Sequence, residues 1–82
     1  MILKTENNIL FVTDTKRTRE RGMEQLMAEH NGRTFRISID RTLLPPYYEL
    51  FEEYEQDGRL LHNRLYASSK LQTLTDWITK NL

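Results

Sequence analysis

Acid–base chemistry and metal binding depend most often on histidine, and this chain has only two, His30 and His62. A hairpin that turns at Asp57-Gly58 would place His62 opposite Glu53 on the neighbouring strand. A carboxylate beside an imidazole can transfer protons or hold a metal ion. Isolated pairs of this kind are usually surface ion pairs worth about 0–1 kcal/mol, and we interpret Glu53 and His62 as one.

Motifs that identify an active site are absent from the sequence. There is no Gly-rich phosphate loop, HExxH pair, nucleophile elbow or calcium-binding loop. The chain has no cysteine, which removes disulfides, thiolate metal ligands and cysteine nucleophiles and is typical of a reducing cytosol. No long apolar run or signal-peptide pattern occurs. We therefore predict a small cytoplasmic protein with no catalytic residue, metal, cofactor or membrane contact.

Residues 47–67 alternate in a way that predicts one β-hairpin. Asp57-Gly58 forms its turn, because tight turns that match strand twist need positive φ, which Gly accepts and Asp tolerates. On one side, the predicted core face, the register pairs Tyr54 with Leu61, Glu52 with Asn63, Leu50 with Leu65 and Tyr48 with Ala67. On the other side it pairs Glu55 with Leu60, Glu53 with His62, Phe51 with Arg64 and Glu49 with Tyr66.

A helix is the rival interpretation of residues 47–56, because four of their apolar side chains also follow a helical stripe. We favour the hairpin because residues 59–67 continue the alternation on the correct face. A helix that ended at Gly58 would leave that agreement to chance.

The second side of the hairpin is the predicted functional surface. It gathers three large apolar side chains, Phe51, Leu60 and Tyr66, which are exposed unless a helix or the N-terminal arm covers them. Exposed aromatics rimmed by charge mark partner sites, so the sequence predicts a protein-binding or regulatory module. Its partner would be another protein, steered by the hairpin glutamates if basic, or a second copy in a homodimer. The predicted binding residues are Glu49, Phe51, Glu53, Leu60, Arg64 and Tyr66.

Nucleic-acid binding is the alternative function, because residues 16–21 form a basic segment that could neutralise phosphates. The residues that would carry it are Lys16, Arg17, Arg19, Arg21, Arg33 and Arg36. Lys plus Arg and Asp plus Glu both number 12, so the net charge is zero and bulk charge does not favour a polyanion. Glu20 also interrupts the basic run, and we favour protein binding.

The first half of the chain predicts a strand and then a helix. Residues 9–13 form a compact apolar run that predicts a strand covered on both faces, and Asp14 or Thr15 would cap a following helix. Residues 23–30 carry a helical stripe that Asn31-Gly32 would end.

A second hairpin is the alternative for that region. It would turn at Asn31-Gly32 and pair Ala28 with Phe35 and Leu26 with Ile37. We favour the helix because residues 23–29 combine high helix propensity with low strand propensity.

The remaining elements complete the prediction of one α+β domain over residues 1–82. Residues 33–40 alternate as a half-buried strand that Pro45-Pro46 separates from the hairpin. Ser69 and Gln72 match a capping box, and a closing helix would lay its apolar stripe, Leu71, Leu74, Trp77, Ile78 and Leu82, across the hairpin. We predict about four antiparallel strands with helices on one face, in the order β-α-β-β-β-α. The first strand would join the sheet centrally or at an edge.

Overall fold

The computed structural model describes residues 1–82 and contains six strands and two helices. The strands are β1 (Ile2–Lys4), β2 (Leu10–Thr13), β3 (Glu24–His30), β4 (Arg33–Asp40), β5 (Tyr47–Gln56) and β6 (Arg59–Ser68). The helices are α1 (Thr15–Arg21), between β2 and β3, and α2 (Leu71–Asn81), after β6. The predicted α+β class is confirmed, but the predicted four strands and their order are wrong. Neither helix has the length and apolar character needed to cross a membrane.

All six strands form one antiparallel sheet in the order β1-β2-β3-β4-β5-β6, so each strand pairs only with its neighbours in the chain. The open edges of the sheet are β1, with three residues, and β6, with ten. The first two strands therefore join the sheet at an edge and not through a central crossover.

Residues 24–30 form strand β3, so the helix predicted for residues 23–30 is wrong and the alternative hairpin is correct. Leu26 pairs with Ile37 and Ala28 with Phe35. Asn31 and Gly32 both have positive φ, 53° and 74°, as a tight hairpin turn requires. Helix propensity differs between such residues by less than about 1 kcal/mol each, and burying Leu26 and Ala28 in the sheet outweighs it.

Helix α1 is formed by the basic segment itself. Its N-cap is Asp14, whose carboxylate accepts a hydrogen bond of 3.0 Å from the Arg17 N–H. Its C-cap is Gly22, at a φ of 74°. The helix has no buried residue. Its caps and polar contacts therefore stabilise it, whereas most helices are stabilised by packing of an apolar stripe.

Helix α2 covers one face of the sheet, as predicted. Its Leu74 and Ile78 are fully buried against the apolar side chains of the strands, and Trp77 stacks on Tyr66 with ring centroids 5.2 Å apart. The buried core consists of Ile9, Phe11, Leu26, Ala28, Phe35, Ile37, Ile39, Tyr48, Leu50, Leu74 and Ile78. The capping box predicted at Ser69 is wrong, because Lys70 is the N-cap and no side chain caps the helix.

The two helices lie on opposite faces of the sheet, so the prediction that both pack on one face is wrong. Arg17 of α1 contacts Glu53, whose side chain alternates with that of the core residue Leu50 across β5. We call the face opposite α2 the outer face. Strand β2 is covered on one face only, contrary to prediction, because Leu10 and Val12 are exposed on the outer face.

The predicted hairpin is confirmed for residues 51–64 and shifts beyond them. Tyr54 pairs with Leu61, Glu52 with Asn63 and Phe51 with Arg64 as predicted. A β-bulge between Leu50 and Phe51 then moves the register by one residue, so Leu50 pairs with Tyr66, Tyr48 with Ser68 and Glu49 with Ala67. The extra residue on β6 turns Tyr66 from the outer face to the core face.

Candidate protein-binding surface

One row of cross-strand neighbours runs over the outer face through all six strands. Successive registers connect Ile2, Val12, Met27, Arg36, Phe51 and Arg64. Cross-strand neighbours on one face interact directly, so this row fixes which side chains meet. It is apolar at β1–β3, charged and buried at β4, and aromatic at β5.

The centre of this row is a buried guanidinium. Arg36 is only 1% exposed. Its Nε donates to Glu53 Oε2 at 3.1 Å and its Nη1 donates to Gln25 Oε1 at 2.6 Å. The guanidinium carbon lies 4.4 Å from the centroid of the Phe51 ring, a favourable cation–π distance. Every polar atom buried here is paired, so this part of the outer face is rigid.

Helix α1 covers the buried network and forms hydrogen bonds with two of its members, Glu53 and Gln25. Arg17 Nη1 donates to both carboxylate oxygens of Glu53, at 2.5 and 2.6 Å. The Thr18 hydroxyl accepts a hydrogen bond of 2.9 Å from the Gln25 N–H. Burial lowers the pKa of the Arg36 guanidinium, and the positive charge of Arg21 lowers it further, although an arginine remains protonated at any pH a protein meets.

Between α1 and the β5–β6 hairpin lies a groove of about 530 Å³, which we call the α1–hairpin groove. It is lined by Asp14, Lys16, Arg17, Glu20, Arg21, Glu53, Leu60 and His62. The His62 ring meets the Phe51 ring edge-on, with centroids 5.4 Å apart. The groove thus joins the basic segment to part of the predicted protein-binding face, two features that the sequence presented separately.

Five of the six predicted protein-binding residues lie on the outer face, and Tyr66 does not. Phe51, Leu60 and Arg64 remain partly or fully accessible there. Tyr66 packs against the core and stacks on Trp77 because of the bulge, so its placement on the predicted surface is wrong. Glu53 is buried and held by two arginines.

Most hairpin glutamates are already paired with arginines of the same chain. Glu49 pairs with Arg64 at 3.2 Å, Glu52 with Arg33 at 2.7 Å, and Glu53 with Arg17 and Arg36. The hairpin therefore does not present a row of free carboxylates that would steer a basic partner.

The six predicted nucleic-acid-binding residues do not form one patch. Arg36 is buried, and Arg17 is engaged with Glu53. Arg33 lies on the other face of β4, where its guanidinium sits 4.9 Å from the Phe35 ring centroid. Lys16, Arg19 and Arg21 remain exposed on α1, and none of them forms an ion pair.

Acidification is expected to weaken the fold through two glutamates on the sheet. The hydrogen bond from Arg41 lowers the pKa of Glu24, and the hydrogen bond from Arg33 lowers the pKa of Glu52. Each pKa is lower in the folded state than in the unfolded chain. Each group therefore stabilises the fold fully above about pH 5, and this stabilisation is lost as the pH falls through the folded-state pKa.

Thermal unfolding of the wild type, Glu52→Gln and Glu55→Gln over falling pH would measure this effect. Glu52→Gln should flatten the acid-side decline of Tm, whereas Glu55→Gln, which removes no ion pair, should keep the wild-type slope. Equal slopes for all three proteins would contradict the assignment of acid sensitivity to Glu52.

Sequence reasoning missed an apolar area at the β1 end of the outer face. Ile2, Leu10 and Val12 are exposed there, and Met27 is half-buried beside them. The signal was present, because residues 9–13 are apolar on both sides of the strand. The prediction of a strand covered on both faces is wrong here, because the structure covers only one of them.

No three His, Cys, Asp or Glu side chains lie close enough together to hold a metal ion. Comparison with known protein families, curated proteins and solved structures gives no match to this chain.

Proposed function

We propose that the protein is a non-enzymatic binding module whose α1–hairpin groove holds an acidic segment of a partner protein that also carries an apolar side chain. The observation that carries this proposal is the groove's composition. Lys16 and Arg21 line it without a carboxylate partner, next to Leu60, which is 57% exposed. Free cations beside an exposed apolar side chain match a ligand with carboxylates and an aliphatic or aromatic group.

The ion pairs within the groove indicate the sign of the partner's charge. Glu53 is neutralised by Arg17 and Arg36. Glu20 is therefore the unpaired glutamate of the groove. Arg19 adds a third unpaired cation on α1. An acidic segment would gain favourable Coulomb interactions with α1, which are strongest at low salt.

The floor of the groove is suited to binding because it is already ordered. His62 packs edge-on against Phe51, and Phe51 lies beneath the Arg36 guanidinium, which is held by Glu53 and Gln25. A partner would pay little to order these side chains. Preorganised surfaces of this kind lose less entropy on binding than flexible ones.

A protein ligand is favoured over nucleic acid by the number of free cations. Specific and non-specific nucleic-acid binding both rely on neutralising several phosphates with Lys and Arg. Three of the six basic residues considered for that role are engaged within the fold, which leaves the three on α1. The net charge of zero adds no long-range attraction for a polyanion.

A peptide library displayed on phage and selected on the immobilised protein would test the proposal. The selected peptides should be enriched in Asp and Glu next to Leu or Phe. Leu60→Ala and the double variant Lys16→Glu/Arg21→Glu should each weaken the best peptide by about tenfold or more, as hot-spot truncation does. Fluorescence anisotropy with the labelled peptide measures the dissociation constants.

Matched controls come from exposed residues that do not line the groove. Leu44, in the β4–β5 loop, is 97% exposed, and Leu44→Ala should leave peptide affinity unchanged. Lys70→Glu/Lys80→Glu makes the same charge change outside the groove. Selected peptides without acidic residues, or equal losses in the control variants, would contradict the proposal. Tight binding of an RNA or DNA oligonucleotide that falls steeply with salt would favour the alternative function.

A further inference from the structure

Strand β6 is the longer of the two open edges of the sheet. It has ten residues, with no proline and no acidic residue among them, whereas β1 has three residues. None of the backbone hydrogen bonds that form outside the helices and strands involves residues 59–68. The edge therefore carries backbone N–H and C=O groups with which a further strand could pair.

The turn between β5 and β6 identifies which backbone groups point outward. A two-residue turn, here Asp57-Gly58, closes on a hydrogen-bonded pair, which is Gln56 with Arg59. Hydrogen-bonded and non-hydrogen-bonded pairs then alternate along the antiparallel ladder. The residues of β6 in the non-hydrogen-bonded pairs direct their N–H and C=O groups to the free edge, and before the bulge these are Leu60, His62 and Arg64.

The side chains of the same three residues lie on the outer face, because their partners on β5 are Glu55, Glu53 and Phe51. Leu60 and His62 also line the α1–hairpin groove. The groove therefore borders the free edge of the sheet. A strand added to β6 would lie about 4.8 Å beyond it, and every second side chain of that strand would be a neighbour of those that line the groove.

We propose that the acidic segment bound by the α1–hairpin groove is an extended strand that adds antiparallel to β6. This inference rests on the proposed function and specifies the conformation in which the partner binds. In an antiparallel pair, the partner residues opposite Leu60, His62 and Arg64 exchange both backbone hydrogen bonds with them and place their side chains on the outer face. Main-chain hydrogen bonds then supply affinity, and the groove supplies specificity.

Charge determines which strand this edge accepts. The basic residues of β6 are Arg59, His62 and Arg64, and the groove adds the unpaired cations Lys16 and Arg21. Opposite charges on neighbouring strands stabilise a sheet, and like charges destabilise it. Pairing of β6 with β6 of a second copy would bring basic side chains together, whereas an acidic strand neutralises them.

The ladder predicts the spacing of the partner's sequence. Side chains on one face of a strand are two residues apart. Acidic side chains opposite Arg64 and His62 are therefore separated by one residue, and an apolar side chain opposite Leu60 follows after one more. Peptides selected from the phage library should carry Asp or Glu at positions i and i+2 and Leu or Phe at position i+4.

Backbone N-methylation of a synthetic peptide tests strand addition directly. The probe is a capped, fluorescently labelled peptide, Thr-Glu-Thr-Glu-Thr-Leu-Thr, whose dissociation constant is measured by fluorescence anisotropy. N-methylation of its second glutamate removes an amide that points to β6 and should weaken binding by about tenfold or more. N-methylation of the next threonine removes an amide that points to solvent and should change affinity by less than about twofold. The side chains and the charge are the same in both peptides.

Amide hydrogen exchange followed by NMR locates the added strand on the protein. In the free protein, the amides of Leu60, His62 and Arg64 should exchange faster than those of Leu61 and Asn63, which bond to β5. Saturation with the probe should slow exchange at the first three amides. Slowing that appears when the protein is concentrated without peptide would show that β6 pairs with a second copy, and would contradict the proposal.

Three further outcomes would overturn strand addition. They are equal effects of the two N-methylations or a larger effect at the threonine, unchanged amide exchange on saturation, and failure of the probe to bind a protein that still binds the library peptides. If the protein binds acidic library peptides in any of these cases, the proposed function stands and the bound conformation is wrong. If neither the probe nor any acidic peptide binds, the proposed function fails as well.

Discussion

Glu53→Ala is expected to destabilise the protein by about 3–5 kcal/mol, the usual cost of removing one member of a buried ion pair. Glu53 is buried and accepts hydrogen bonds from Arg17 and Arg36. Its loss leaves the Arg36 guanidinium, 1% exposed, with Gln25 as its remaining hydrogen-bond partner. It also removes the bond by which Arg17 fastens α1 to the sheet.

Urea unfolding followed by tryptophan fluorescence would measure this effect, because Trp77 is the only tryptophan. Glu55→Ala is the matched control, since Glu55 lies on the same strand and is exposed, and it should change stability by less than about 0.5 kcal/mol. The double variant Arg36→Met/Glu53→Leu should be more stable than Glu53→Ala, because a buried apolar pair leaves no charge uncompensated. A loss below about 1 kcal/mol for Glu53→Ala would contradict the buried-network interpretation.

Leu74→Ala is the second large effect, with an expected cost of about 2–5 kcal/mol. Leu74 lies in the first half of α2 and is fully buried against the sheet. Its truncation removes apolar contacts and leaves a cavity that a helix fixed between Leu71 and Ile78 cannot readily close.

Trp77→Ala should cost less than Leu74→Ala although it removes a larger side chain. Trp77 is only half-buried and packs chiefly on the half-buried Tyr66 ring, so part of its surface is already in water. Far-UV circular dichroism in urea suits all these variants, because it does not depend on Trp77. Lys80→Ala, on the exposed side of α2, is the control. A larger loss of stability for Trp77→Ala than for Leu74→Ala would show that the half-buried Trp77, and not the fully buried Leu74, anchors the helix.

The hairpin of β5 and β6 could be predicted because its turn chemistry and its alternation agree. Asp57 and Gly58 have the positive φ values that their residue types favour, 54° and 74°. The bulge between Leu50 and Phe51, where Leu65 is the extra residue of β6, could not be predicted, because no Gly or Pro marks it and apolar side chains occur on both sides of the shift. This one-residue shift places Tyr66 on the core face instead of the outer face.

The first half of the chain shows where propensity and periodicity fail. Helix α1 has no apolar stripe, so hydrophobic periodicity does not predict it. Its two caps, Asp14 and Gly22, are the remaining sequence signal. Strand β3 has the composition of a helix and is held as a strand by tertiary burial.

The buried network was hidden for a related reason. Arg36 and Ser38 fall on the polar side of β4, which alternation assigns to solvent. Only the position of α1 and the pairing with Glu53 show that this side is covered. Five of the eight residues that line the groove were therefore predicted as site residues, in two separate sets, but their assembly into one groove could not be predicted.

Strand order has a consequence for how the chain folds. Every strand pairs with its neighbour in the chain, so most contacts are local and the contact order is low for a β-rich protein, which favours fast folding. Helix α2 follows all six strands, yet it covers Phe35, Ile37 and Leu50. A chain whose sheet has formed before α2 docks therefore exposes a broad apolar face, and chaperone capture or aggregation competes with folding at that step.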